Sequence, residues 1–277
     1  MQYILKIDCP DQKGLVHEIS GILFSSGLNI IENEEFVDHR NNYFFMRSEV
    51  TGELNQPKVF QQLSKVLPDK AIIQIHKKKK KDIIVFATRE YHCLGDLLMR
   101  HHFGELKANI QAVISNHDYL KDFTERFGVP FYHLPTEKIE RNEHEEKVLS
   151  ILSSYYPEYL VLAKYMRVLT PNFTGHYNNR IINIHHSFLP AFVGARPYEQ
   201  AFERGVKLIG ATAHFVNDNL DEGPIINQDV IHTNHKNDAA MMAKAGKDVE
   251  KIVLANALKL VFDDRVFVYR NKTIIFE

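Results

Sequence analysis

The run Ile83-Ile84-Val85-Phe86-Ala87 is apolar at every position, and polar residues bracket it, Asp82 before and Thr88-Arg89-Glu90 after. A strand apolar on alternate residues can leave one face in water, but one apolar throughout must be covered on both. That demand points to a parallel sheet between two layers of helices. The residues that follow supply the alternation such a sheet needs. Helical periodicity begins at 94–100, and strands recur at 110–115, 129–133 and 159–163, with helices expected at 119–127 and 143–154. The expectation is a doubly wound, Rossmann-like α/β domain that binds its ligand at the carboxyl ends of its strands. A later strand is expected at 181–185. A long helix over 238–262 places Val249, Ile252, Val253, Ala257, Leu260 and Val261 on one face, and a hairpin around Arg270-Asn271-Lys272 closes the chain.

Ahead of residue 83 the pattern changes. Tyr3, Leu5 and Ile7 alternate with Ile4, Lys6 and Asp8 as a strand over 2–8 would, and Leu15, Ile19, Ile22 and Leu23 mark a helix over 14–24. Strands at 29–37 and 42–50 flank the turn-forming Asp38-His39-Arg40-Asn41. A helix at 58–66 stops at Pro68-Asp69, and a strand follows at 71–75. The order is βαββαβ, a ferredoxin-like unit. Its segments Cys9-Pro10-Asp11-Gln12-Lys13-Gly14-Leu15-Val16 and Gly27-Leu28-Asn29-Ile30 resemble an ACT domain, a small regulatory module that binds amino acids at domain interfaces. The turn with Pro10 and Gly14 leaves backbone N–H groups at a helix start, where a carboxylate can dock. Gly14, Asn29 and Ile30 are the candidate effector contacts; a pairing domain without a ligand is the alternative. Lys77 to Lys81 then form a charge run with no aromatic interleaving, expected to be a solvated linker. The boundaries read 1–76 for the ACT-like domain, 77–82 for the basic linker and 83–277 for the α/β domain.

Composition narrows the function classes. The 277 residues carry 34 Lys and Arg against 35 Asp and Glu, a formal charge of −1 that argues against a protein dominated by phosphate-backbone binding. Cys9 and Cys93 are the only cysteines, too few for a disulfide framework and not in a CxxC zinc pattern, so a reducing cytoplasm is expected. No apolar run is long enough to span a bilayer, and the first residues lack a basic, then apolar, leader pattern, so no membrane partner is expected.

The chemistry concentrates in Asn183-Ile184-His185 and in Asp221. If 181–185 is a strand, its two-residue period puts Asn183 and His185 on one face and Ile184 on the other, with His186 turned away from His185. Singly each has an ordinary reading, Asn183 as a turn former and Asp221 as a turn acid before Gly223. Of the fifteen histidines, His185, His186, His214, His232 and His235 form no HExxH pattern. Collapse of a formyl amide needs an oxyanion donor, a proton carrier and a group that orients the nucleophile. Asn183, His185 and Asp221 match those needs in turn.

Asn183-Ile184-His185, Ala213-His214-Phe215-Val216 and Asp221-Glu222-Gly223-Pro224-Ile225-Ile226 resemble the catalytic region of folate-dependent formyltransferases. The fuller run 182–192, with Gly194-Ala195-Arg196-Pro197-Tyr198, looks like the formyltetrahydrofolate deformylases among them. That resemblance covers essentially the whole chain. It implies hydrolysis of 10-formyltetrahydrofolate to tetrahydrofolate and formate by Asn183, His185 and Asp221, with His214 in support. It also implies a folate pocket shaped by Met166, Arg167, Val168 and Leu169, and no cofactor or metal. A homo-oligomer and an amino-acid effector, glycine or methionine, are further implications.

Water as the acceptor has its own argument. A transformylase acting on a ribonucleotide needs a phosphate cradle, typically a Gly- and Ser-rich loop after the first strand of the sheet. Here that loop reads Thr88-Arg89-Glu90-Tyr91-His92-Cys93-Leu94-Gly95, with an acid, two bulky rings and one glycine. A transformylase acting on charged tRNA is expected to carry a further carboxy-terminal domain, and the sequence ends at Glu277 soon after the closing hairpin. The alternatives are transfer to a small amine, or a catalytically inactive amino-acid-binding regulator. Cys93 is expected to be a structural thiol or part of a pocket wall.

Overall fold

Burial alternates along the first strand, β1 (Gln2–Pro10), so that Leu5, Ile7 and Cys9 enter one apolar core. Helix α1 (Leu15–Ser25) covers that face with Leu15, Ile19 and Leu23. It starts at Gly14, whose φ of 96° is left-handed and suits a residue without Cβ. Strands β2 (Asn29–Asp38) and β3 (Tyr43–Thr51), helix α2 (Gln56–Val66) and strand β4 (Ile72–Lys77) complete the expected βαββαβ order. The Asn55 side chain caps α2 by accepting from the Lys58 N–H. The sheet runs β2-β3-β1-β4, antiparallel throughout.

This computed structural model describes residues 1–137, 139–191 and 197–277, and the chain divides into two compact units, Met1–Lys79 with Phe276–Glu277, and Lys80–Ile275. Phe192 and Gly194-Ala195-Arg196, part of the deformylase-like run, lie outside the described residues. Among the described residues no helix is long and apolar enough to cross a membrane.

The second unit begins with β5 (Lys81–Ala87), which carries the run apolar at every position, and both of its faces are covered. Ile83, Val85 and Ala87 pack with Cys93, Leu94, Leu97 and Leu98 of α3 (His92–His102). Ile84 and Phe86 face the other way, against Val148 and Leu152 of α5 (Arg141–Tyr155). Between α3 and α5 lie β6 (Ala108–Ser115), α4 (Lys121–Glu125) and β7 (Phe131–His133). Helix α4 and strand β7 are both shorter than the sequence pattern suggests. The segment between them contains Gly128, at φ 72°, and Pro130, which has no N–H to give a ladder but whose carbonyl accepts from Val113 at 2.8 Å. The chain continues through β8 (Tyr159–Ala163), α6 (Pro171–Gly175), β9 (Ile181–His185), α7 (Pro197–Glu203), β10 (Leu208–Phe215), β11 (Ile225–His232) and α8 (Ala239–Phe262), then the hairpin β12 (Val266–Tyr269) and β13 (Lys272–Ile275).

The seven-stranded sheet has the order β11-β10-β9-β8-β5-β6-β7. Strands β7, β6, β5, β8 and β9 run parallel, the doubly wound arrangement, while at one edge β10 pairs antiparallel with β9 and β11 pairs antiparallel with β10. Two expectations change. The lysine run is not uniformly solvated: Lys81 is inside β5, 3 % exposed, and its ammonium sits 2.9 Å from Asp264. A buried ammonium needs a counter-ion, and Asp264 supplies it. On α8, Ile252 is 49 % exposed while Glu250 is 1 % exposed, so the buried face is rotated from the apolar stripe read in the sequence.

Candidate active site

Strand β9 delivers Asn183 and His185 to the same side, and Ile184 enters the core on the other. Antiparallel pairing sets His214 of β10 directly opposite Asn183. The Asn183 amide nitrogen lies 3.2 Å from His214 Nε2, and His214 Nδ1 lies 2.9 Å from the Phe215 carbonyl. A carbonyl can only accept, so Nδ1 carries the proton and Nε2 accepts from the Asn183 amide. Burial lowers the His214 pKa, which keeps the ring in this neutral form.

Asp221 comes from the loop between β10 and β11. This loop leaves Phe215 and folds back, and Phe215 N–H donates to the Pro224 carbonyl at 2.9 Å. Any Cβ at Gly223 would overlap the Phe215 carbonyl, so the close approach requires glycine there. Asp221 itself adopts φ 58°, a left-handed conformation that aspartate tolerates better than most residues. Its carboxylate lies 3.3 Å from His185 Nδ1 and 3.8 Å from His214 Nε2. The hydrogen bond from His185 holds the Asp221 carboxyl below its ordinary pKa against the opposing effect of burial. The other ring nitrogen, His185 Nε2, is buried with no hydrogen-bond partner among the described residues.

These groups form one wall of a cavity of about 460 Å³. Met166, Arg167, Val168 and Leu169, which follow β8, line it, as do residues 216–220 ahead of Asp221. Both segments are tethered from behind. Glu145 on α5 accepts from the Thr170 backbone and hydroxyl, and Thr174 on α6 donates to Asp218 at 2.6 Å. The mostly apolar wall with a polar end suits a flat heteroaromatic ligand carrying one reactive polar group.

His186 departs from expectation. The strand ends at His185, so the two-residue period no longer applies, and the two imidazoles stack with centroids 5.0 Å apart. Burial, then the nearby Lys164 and His185, depress the His186 pKa to about 4, leaving it a neutral wall of the cavity. The residues after it are fixed by Thr212, whose hydroxyl donates to the Ser187 carbonyl at 2.8 Å and accepts from the Leu189 N–H at 3.0 Å.

Behind Lys164 lies a buried charge cluster for which sequence reasoning had no role. Glu250 accepts from His92 Nε2 at 2.7 Å and from the Tyr198 hydroxyl at 2.9 Å, and Lys164 Nζ is 3.2 Å away. Burial alone would raise the Glu250 pKa, but His92 and Lys164 outweigh it and hold it at about 2. His92, Cys93 and Glu250 offer metal-ligating atoms within 4.8 Å of one another. Their charge is already answered by the Lys164 ammonium, and burial pushes the Cys93 thiol pKa up, away from the thiolate a metal would require. Tyr198 lies within the deformylase-like run, but its pairing with Lys164 and His92 through Glu250 of α8 is legible only in three dimensions.

In the first unit the effector candidates do not share one end of the sheet. Pro10, just before the Gly14 turn, pairs with Tyr43, whereas Asn29 pairs with Thr51 at the far end of β3. Roughly 25 Å of strand separates those ends. A single ligand cannot touch Gly14 and Asn29-Ile30 of the same chain.

Comparison with known proteins gives a consistent result. Residues 81–258 match the family model for formyl transferase and residues 3–68 that for the ACT domain. A formyltetrahydrofolate deformylase of Escherichia coli is 54 % identical over 98 % of this chain and 97 % of its own length, and one of Bacillus subtilis is 42 % identical over 98 % and 93 %. The crystal structure of a formyltetrahydrofolate deformylase from Pseudomonas syringae superposes with a TM-score of 0.95 at 40 % identity, covering 100 % of this chain and 95 % of that one. A glycinamide ribonucleotide transformylase from Symbiobacterium toebii matches 73 % of this chain and 97 % of its own, at 27 % identity and a TM-score of 0.69. With relatives of that name matched from end to end, and a formyl transferase domain behind an ACT domain, this chain belongs to the formyltetrahydrofolate deformylase family.

Proposed function

We propose that this protein hydrolyses 10-formyltetrahydrofolate to tetrahydrofolate and formate, with the folate in the cavity of the second unit and no cofactor. The observation that carries this reading is the convergence of Asn183, His185 and Asp221 on one cavity wall, with His185 Nε2 left unpaired among the described residues. Asp221 accepts from His185 Nδ1–H, which fixes the tautomer and leaves the lone pair on Nε2, the nitrogen with no hydrogen-bond partner among the described residues. Nε2 takes a proton from water as its oxygen bonds to the formyl carbon. Asn183 uses one amide hydrogen on His214 and has the second for the developing oxyanion. Collapse breaks the bond from the formyl carbon to N10, and protonated His185 delivers its proton to that nitrogen. The neighbouring Asp221 carboxylate stabilises the imidazolium between the two transfers.

The test is formate release by the purified protein from 10-formyltetrahydrofolate with no amine present. Strict dependence on an acceptor would sink the hydrolase. Asn183→Ala is expected to lower kcat by about 10²–10³ with the fold intact; a near-normal rate would remove Asn183 from its role.

The ACT unit is assigned an amino-acid effector, glycine or methionine, bound in a homo-oligomer. The separation of Gly14 from Asn29 favours a site completed by two copies, each supplying one end of its sheet. Calorimetric titration of the intact protein with each amino acid checks this. Absence of heat and of any effect on turnover with both would overturn it.

A further inference from the structure

The strand order of the second unit reverses between β5 and β8. Open α/β sheets take ligands in the crevice outside the strand ends at such a reversal. Here the chain's own side chains occupy that crevice. The two strands end level, Ala87 beside Ala163, and the next residues are stitched together where Thr88 Oγ1 donates to the Lys164 carbonyl at 2.9 Å. Lys164, at φ 63°, extends its ammonium to Glu250, which also holds His92 and Tyr198. Glu250, His92 and Lys164 are 1 %, 5 % and 8 % exposed. The folate-sized cavity reaches Lys164 and stops: among its described lining residues none comes from the loop 88–95.

We propose that Lys164, Glu250, His92 and Tyr198 form a plug on the acceptor side of the formyl carbon, and that this plug makes water the nucleophile. They are specificity-determining residues for hydrolysis over transfer. The proposal rests on the deformylase reading above and deepens it. Transfer to a primary amine needs the same proton traffic: a bond forms from the amine nitrogen to the formyl carbon, the bond to N10 breaks, and the amine proton ends on N10. Hydrolysis differs in the size of the nucleophile, and an occupied crevice disfavours the larger one.

The full-length protein is supplied with 10-formyltetrahydrofolate and glycinamide, and formate and N-formylglycinamide are quantified by mass spectrometry. Two variants open the plug from opposite sides. Lys164→Gly removes a pocket-facing side chain and installs a residue at ease with a left-handed φ. Tyr198→Ala leaves Glu250 paired with Lys164 and His92. The wild type is expected to yield formate alone, and at least one variant with wild-type circular dichroism should raise the ratio of formyl amide to formate tenfold or more. The plug is overturned if the wild type already forms the amide as readily as the variants. It is equally overturned if folded variants keep the wild-type ratio, or lose both products, which would place these residues in catalysis instead. A wild type that releases no formate without glycinamide refutes the deformylase reading itself.

Discussion

In the mechanism proposed above, an amide donor serves the oxyanion only if its N–H points at it, and the contact that fixes the Asn183 amide is with His214. Cross-strand pairing brings the two side chains together, and the proton on His214 Nδ1 makes Nε2 an acceptor. His214→Phe keeps a ring of similar size and removes the acceptor, freeing the Asn183 amide to turn. The expected result is a fall in kcat of roughly ten- to a hundredfold with KM nearly unchanged, because the lost alignment matters mainly in the transition state. Steady-state kinetics with 10-formyltetrahydrofolate check it, and a kcat equal to wild type would dismiss the positioning role. The sequence made Asn183, His185 and Asp221 visible because strand periodicity and motif context act locally. It could not show that Asn183 donates to His214, since register between antiparallel strands is set by the whole sheet. His186 departs from the strand pattern for a local reason: the period that would turn it away ends one residue earlier.

At the scale of elements, legibility followed how much each segment depends on its neighbours. Strand β5 was plain because its apolar run leaves one way to bury both faces, and β8 and β9 match their sequence-derived spans at 159–163 and 181–185. Strand direction was not legible. Strands β10 and β11 turn antiparallel through a loop whose course depends on Gly223 fitting against the Phe215 carbonyl, and that same loop lays Asp221 on His185. Helix α8 shows the limit from another side. Its apolar periodicity marks a buried helix, yet periodicity ranks Glu250 as a solvent position. The residue is buried because Lys164, His92 and Tyr198 come to it from the ends of β8, α3 and α7. A buried carboxylate with three partners from distant segments carries no local signature.

For the whole molecule, the two units have separate apolar cores, and three histidines with lowered pKa values lie in the second. His144, His186 and His214 are each held below the ordinary histidine pKa of 6.5, in every case chiefly by burial. An unfolded chain accepts protons on these rings before the folded one does, so stability must fall as pH drops below about 6.5, and for His186 it continues to fall until about 4. The carboxylates act in a lower window. Asp221 and Glu250 are held below their ordinary values of 3.8 and 4.5, so their contributions persist above those values and are lost only as pH falls further. Between pH 7 and 5 the histidines therefore govern, and His186 alone contributes a loss on the order of 2 kcal/mol. Urea unfolding of the second unit's transition is expected to show a lower midpoint at pH 5 than at pH 7. In His186→Phe, which keeps a flat ring against His185 and cannot take a proton, the difference in unfolding free energy between the two pH values should shrink by about that amount. A midpoint that does not move in the wild type, or a pH dependence unchanged in the variant, would show that His186 is not buried neutral in the folded protein.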